Sequence, residues 1–168
     1  MSRELIEVAR SYIGSGAIYH QQQAGDCFRA PSERCLQVGL GPAFDCSGFI
    51  IASLCQVAGR PIGDWPASLR HVRDMWQASQ DSELLTRIPI VEGSILVTSR
   101  AYDLEGEKVR VPGHVGIVTY AQADEVHYVH ASAKSGVVEE RPLRTLDTIL
   151  GAITLNDQAN FSIQCVGA

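Results

Sequence analysis

From Ser94 onward the sequence changes its hydrophobic period, and this change constrains the fold more than any other feature. Before it, apolar residues recur at helical spacing in three segments. Leu5, Val8, Ala9, Tyr12 and Ile13 mark Ser2 to Ile13, with Ser2 as a possible N-cap. Phe49, Ile50, Leu54 and Val57 mark Cys46 to Ala58. Leu69, Val72 and Met75 or Trp76 mark Ser68 to Ala78. After it come short runs rich in β-branched residues: Ser94–Thr98, His114–Tyr120, Glu125–His130, Val137–Glu139 and Ala152–Leu155. The stretch SRAYDLEGEKVRVPG between the first two reads as a polar, hairpin-like connection. Helices first and strands afterwards predict an α+β domain, with helices packed on a central antiparallel sheet.

Punctuation supports these bounds. Asp45 is a good N-cap for the second helix, and Gly59 followed by Pro61 is a good stop. Residues 20–43 hold Gly, Pro, Gln and two cysteines with no period, which predicts a long inserted loop. Residues 156–168 read as a short C-terminal tail. A chain of 168 residues suits a single domain spanning 1–168. That length buries roughly 70% of its unfolded surface, enough for a core without staples.

Composition narrows the function classes. The net charge is -5 with no basic stripe, so nucleic acid is not an expected partner. The opening MSRELIEVARSYIG has no apolar h-region and is not expected to be a secretory signal. The longest apolar stretch, Phe49 to Leu54, is too short to span a bilayer. The expectation is synthesis in the cytoplasm without membrane insertion, with another component delivering the chain if it acts elsewhere. Cysteines stand at 27, 35, 46, 55 and 165, and an odd count leaves at least one unpaired within the chain. Cys27 and Cys35 suit a disulfide, plain thiols or, less well, zinc, since no Cys-x-x-Cys or His-x-x-x-His spacing occurs. No metal and no cofactor is expected.

The chemistry concentrates at Asp45-Cys46-Ser47-Gly48. With Asp45 as N-cap, Cys46 occupies the first helical position, where unpaired N–H groups favour a thiolate. Lowering a thiol pKa by two units takes about 2.7 kcal/mol, whereas a helix terminus supplies about 0.3–1 and at most around 2. A cationic neighbour is therefore needed, and histidine is the natural one. His114 opens one strand and His130 closes the next. Period two places His114, Gly116 and Val118 on one face, and Val126, Tyr128 and His130 on one face. Antiparallel pairing through a turn near 121–124 makes the two histidines neighbours, and the Cys46 helix is expected to pack over that face. Gly116 would leave room beside an imidazole. His127 should face the other way, His71 a helix surface, and His20 the cleft mouth. Cys55 is expected to be packing, and Trp65 and Trp76 core or rim.

These blocks match a known family. FDCSGFI, GHVGIV and HYVHAS, in this order, resemble the NlpC/P60 cysteine peptidases. Gly16 to Tyr19, VEGSILV and LGAIT resemble further blocks of that family, so the likeness covers about residues 4 to 155. The resemblance implies a papain-like core and hydrolysis of an amide in bacterial cell-wall (peptidoglycan) stem peptides, typically between D-glutamate and a diamino acid. It implies Cys46 as nucleophile, His114 as general base and then acid, and His130 as the group that orients it. Tyr19 would help hold the oxyanion, while Asp45 and Ser47 would line the subsite for the substrate's free amine. The chain departs from the pattern after Tyr19, in the loop carrying Cys27 and Cys35, at Asp64-Trp65-Pro66, and at Ser94, where aspartate is usual. A missing leader fits delivery by a phage tail or secretion system. Two other classes remain: a thiol-dependent acyltransferase or deamidase, and a non-catalytic wall-binding module.

Overall fold

The computed structural model describes residues 2–19, 43–59, 69, 71–81, 85–104, 106–144 and 148–156. Among the described residues the chain is α+β, with three helices and a six-stranded antiparallel sheet. Cys27, Cys35, Cys165, His20 and Trp65, and nearly all of the expected loop and tail, lie outside the described residues.

Helix α1 (Ser2–Ser11) buries Leu5, Ile6 and Ala9. It stops two residues before the expected Ile13, which is 40% exposed, and Gly14 and Gly16 follow at φ 72 and 86. Short strand β1 (Ile18–Tyr19) then pairs in parallel with β2 (Ala43–Phe44), at the end of the expected loop. Neither has enough residues to show a period.

Helix α2 (Cys46–Ala58) has the predicted bounds. The Asp45 carboxylate accepts from the Gly48 N–H at 2.6 Å, and Gly59 closes the helix at φ 62. Phe49, Ile50 and Ile51 have no exposed surface, and burying each such side chain contributes about 1.5–3 kcal/mol. Helix α3 (Val72–Asp81) begins later than expected and buries Val72 and Met75 as predicted, while Leu69, buried too, precedes the helix. No helix among the described residues is long and apolar enough to cross a membrane.

The sheet comprises β3 (Leu85–Ile88), β4 (Ile95–Leu104), β5 (Glu107–Gln122), β6 (Glu125–Ala131), β7 (Val138–Pro142) and β8 (Ile149–Leu155), in the order β3-β8-β4-β5-β6-β7. The sequence pattern does not reveal β3, a four-residue edge strand of which only Leu85 is buried. Strands β4 and β5 run on through the expected polar connection as a long hairpin, from Ile95↔Ile117 to Leu104↔Glu107. A ladder sustains that arm without burial, and the Asp103 carboxylate caps its turn by accepting from the Gly106 N–H.

Alternation divides the sheet into two faces. Val97, Val115, Ile117, Val129 and Ala131 join Phe49 and Ile50 in the main core. Leu96, Val118 and Tyr128 form a second cluster with Ile90, Ala121, Val126 and Leu143. Helix α2 therefore packs on the Val115 and Ile117 face, not on the face of His114, Gly116 and Val118 as expected. The physical reason is plain: an apolar helix buries most surface against the β-branched face. On the helix side of edge strand β7, Glu140 receives a two-pronged salt bridge from Arg10 of α1, at 2.7 and 3.1 Å, and a hydrogen bond from Thr119.

Candidate active site

Cys46 stands at the mouth of α2 and is 7% exposed. Its sulfur meets β5 at the backbone: hydrogen bonds from the Val115 and Ser47 backbones both favour the thiolate. Asp45 Oδ1 is committed to the cap, accepting from Gly48 N–H and, at 3.0 Å, from Ser47 Oγ. Tyr19 is fixed by β1, with its N–H donating to the Gly136 carbonyl at 2.7 Å. Tyr19, Asp45, Cys46 and Ser47 line one cavity of about 390 Å³. The expected group on the thiol side is thus assembled, and exposed His71, expected on a helix surface, stands immediately before α3 and lines the same cavity.

The two histidines also meet, at a buried contact on the opposite side of the strand. His114 Nε2 lies 2.7 Å from His130 Nδ1, with the rings edge to face at 4.8 Å between centroids. A β-bulge in the β4–β5 ladder falls at Gly113, one residue before His114. Gly116 keeps this corner open: a Cβ there would lie 2.4 Å from a Tyr128 ring carbon and 3.1 Å from His130 Cβ. His114 and His130 line a second cavity of about 400 Å³. The thiol and the imidazoles therefore open onto different cavities. No thiol–imidazole hydrogen bond is made, and the buried His114 Nδ1 has no partner at all. Such an atom in a folded protein calls for an explanation, because leaving it unpaired costs about 1–3 kcal/mol.

Three further residues enter the site from segments without a motif. Arg100 of β4 lines both cavities and forms a hydrogen bond with Tyr19. Its stem crosses Gly113, whose added Cβ would come within 2.5 Å of it. Glu139 and Arg141 of β7 flank His130: Arg141 Nε donates to His130 Nε2 at 3.2 Å, and Glu139 Oε1 lies 3.5 Å from the same nitrogen. They favour opposite proton arrangements. With Arg141 donating, His130 carries its hydrogen on Nδ1 and passes it to His114 Nε2, so His114 holds its own at Nδ1. With Glu139 accepting from His130 Nε2–H, the chain reverses and His114 Nδ1 is left with a lone pair.

The electrostatics reverse the expected thiolate–imidazolium pair. Burial first, then the Asp45 carboxylate, push the Cys46 thiol up to about 11, against the two backbone donors and Arg100. Burial, then His130, Arg100 and Arg141, lower His114 to about 3. At neutral pH both groups are uncharged. A helix terminus and a neighbouring imidazole do not outweigh loss of solvent around the sulfur. Alkylation of Cys46 by iodoacetamide, followed by mass spectrometry of its peptide, should therefore be slow at pH 6–8 in the resting protein and rise steeply only above about pH 10. Asp45→Asn should move that rise to lower pH. Rapid labelling at pH 6 would contradict the closed resting site.

The remaining expectations resolve simply. His127 faces away from His130 and pairs with Glu125 at 2.8 Å. Cys55 is half-buried and packed against the core. Trp76 lies at the rim beneath the Arg87 guanidinium, 3.9 Å from the ring. Ser94, at the position where aspartate was expected, donates to the Val91 carbonyl at 2.6 Å and shapes a turn. Among the described residues, no group of three His, Cys, Asp or Glu is placed to hold a metal. Comparison with protein-family models, with curated proteins and with solved structures gives no match in any of the three.

Proposed function

We propose that the protein is a cysteine hydrolase of NlpC/P60 type that cleaves an amide bond in peptidoglycan stem peptides, on a papain-like core. The observation that carries the reading is the buried, unpartnered His114 Nδ1, whose opposite nitrogen is held by His130, while the Cys46 thiol meets the backbone of the next residue, Val115. A general base needs one nitrogen fixed and the other open. The likeness of FDCSGFI, GHVGIV and HYVHAS to that family supports the substrate class.

In this reading His114 Nδ1 takes the thiol proton while His130 Nε2–H leans on Glu139. The Cys46 sulfur bonds to the substrate carbonyl carbon, and the carbon–nitrogen bond breaks as His114 returns the proton to the leaving amine. Water then attacks the thioester, giving its proton to His114, and the thiol leaves with it. Tyr19 and Arg100, which line the cavity onto which the thiol opens, would stabilise the negative charge that develops on the carbonyl oxygen. Asp45 and Ser47 would receive a free amine.

One observation favours a second reading. The neutral resting pair would suit a module that binds wall peptides without cleaving them. Digestion of purified sacculi separates the two. The expected result is released fragments in which one amide has gained the mass of water, with the bond located by tandem mass spectrometry. Binding without any new fragment would overturn the hydrolase reading, and transfer of an acyl group to an added amine would redirect it to an acyltransferase.

A further inference from the structure

Strand β7 brings two opposed groups to one imidazole nitrogen. Glu139 pairs with His130 across the β6–β7 ladder and Arg141 with Tyr128, and alternate residues share a face, so both side chains reach the same ring. A guanidinium can only donate and a carboxylate can only accept. His130 Nε2 therefore serves one of them at a time. At rest, distance decides for Arg141. Its Nε lies 3.2 Å from His130 Nε2, within hydrogen-bond range, whereas Glu139 Oε1 stands off at 3.5 Å. The Glu139 carboxylate is meanwhile held by hydrogen bonds from Ser132 and Ser135 in the β6–β7 turn. That turn is itself fixed: Gly136 N–H donates to the Ser132 carbonyl at 2.9 Å, and the Gly136 carbonyl accepts from Tyr19.

The resting bond has a consequence for the base. Since Arg141 donates to Nε2, His130 carries its hydrogen on Nδ1. That hydrogen faces His114 Nε2, 2.7 Å away, and occupies its lone pair. A neutral His114 then keeps its own hydrogen on Nδ1, the buried nitrogen without a partner. In this arrangement the ring has no lone pair left for a thiol proton.

We infer that Arg141 locks the histidine pair in the tautomer that cannot act as base, and that the site becomes competent when Glu139 takes the place of Arg141 at His130 Nε2. The inference rests on the reading that His114 Nδ1 receives the Cys46 proton. The change is a balanced exchange. One proton enters from water at His130 Nε2 as Arg141 withdraws. The His130 Nδ1 hydrogen passes to His114 Nε2, and the His114 Nδ1 hydrogen leaves to water. No net charge is gained, and Glu139 then accepts from His130 Nε2–H. Arg141 and Glu139 are positioning residues, acting through His130 and not on the substrate.

Arg141→Met removes the donor and keeps an aliphatic stem beside Tyr128. Imidazole nitrogen chemical shifts, measured near neutral pH, distinguish the two forms. The unaltered protein should carry hydrogen on Nδ1 of both rings, and Arg141→Met on Nε2 of both. Hydrolysis of sacculi by Arg141→Met should rise about ten- to a hundred-fold in kcat/KM, the factor by which a hydrogen bond from a charged donor favours the locked form. Glu139→Gln should leave the resting tautomer as it is and lower turnover about ten-fold, because a neutral acceptor supports Nε2–H less. Structural damage to β7 alone would lower activity in both variants without exchanging the hydrogens. Hydrogen on Nε2 of the resting, unaltered rings overturns the lock. Unchanged tautomers in Arg141→Met, or an exchange that brings no gain in a protein that does cleave, overturn it too and leave the peptidase reading standing. Should Arg141→Met not fold, hydrogen on Nδ1 of both unaltered rings together with reduced turnover in Glu139→Gln supports the lock, and the absence of either overturns it. Exchange in Arg141→Met with no hydrolysis by any of the proteins leaves the tautomer lock standing and overturns the peptidase reading.

Discussion

Cys46→Ala is expected to lower the rate of sacculus hydrolysis by at least about a thousand-fold while the fold persists. The loss is large because the step has no substitute nucleophile: Ser47 is turned back onto Asp45, its hydroxyl donating to the carboxylate. The fold should survive because the helix start depends on Asp45 and Gly48, not on the sulfur. Truncation to alanine at a site already open to a cavity costs little packing. His114→Ala should cost nearly as much, and the double variant no more than either alone, since thiol and imidazole act as one unit. Unchanged hydrolysis by the Cys46→Ala protein would remove the thioester mechanism altogether.

The second large effect falls on stability. Gly116→Ala places a methyl 2.4 Å from the Tyr128 ring and 2.8 Å from the Val129 carbonyl oxygen. The neighbour is backbone of a paired strand, which cannot rotate away, so the cost should reach about 3 kcal/mol, the upper part of the range for overpacking. Denaturant titration would read this as a lower midpoint at an unchanged slope. Activity should fall further than unfolding explains, because Tyr128 packs at 4.9 Å on the His130 ring that holds His114. Gly113→Ala should also lower stability, because its methyl would lie 2.7 Å from Arg100 Cβ, which the β4 backbone fixes, and displacement of the Arg100 stem should lower turnover as well. Equal midpoints for Gly116→Ala and the unaltered chain would show that the corner is looser than the structure has it.

Much of the architecture is legible in the residues themselves. Asp45 and Gly59 bracket α2 because a cap needs a side-chain acceptor and a left-handed stop needs glycine. Period two puts each histidine on one face, and the short turn near 121–124 brings the strands into the pairing in which His114 and His130 meet; the shift between Val118 and Tyr120 is not visible in the alternation. The face on which α2 lies is also encoded, but in Val115, Ile117 and Val129 rather than in the histidines. Reading the polar face as the helix side places the thiol over the rings; the apolar face places it against the Val115 backbone instead. Arg100, Glu139 and Arg141 carry no motif and become site residues only through pairing: Arg100 opposite Val111, and Glu139 opposite His130. The protonation states lie furthest from the sequence, since they depend on burial, which neighbours far along the chain create.

Strand β7 carries two unrelated duties on alternate residues. Glu140 clasps Arg10 of the first helix, while Glu139 and Arg141 address the imidazoles through the other side of the sheet. A slip by one position would turn a carboxylate outward from the clasp and rotate both proton-directing groups away from His130. The N-terminal helix therefore works as a detent for a strand that, among the described residues, has a paired neighbour in the sheet on one flank only. Anything that pries that helix loose should first be felt not as unfolding but as a misaligned proton wire.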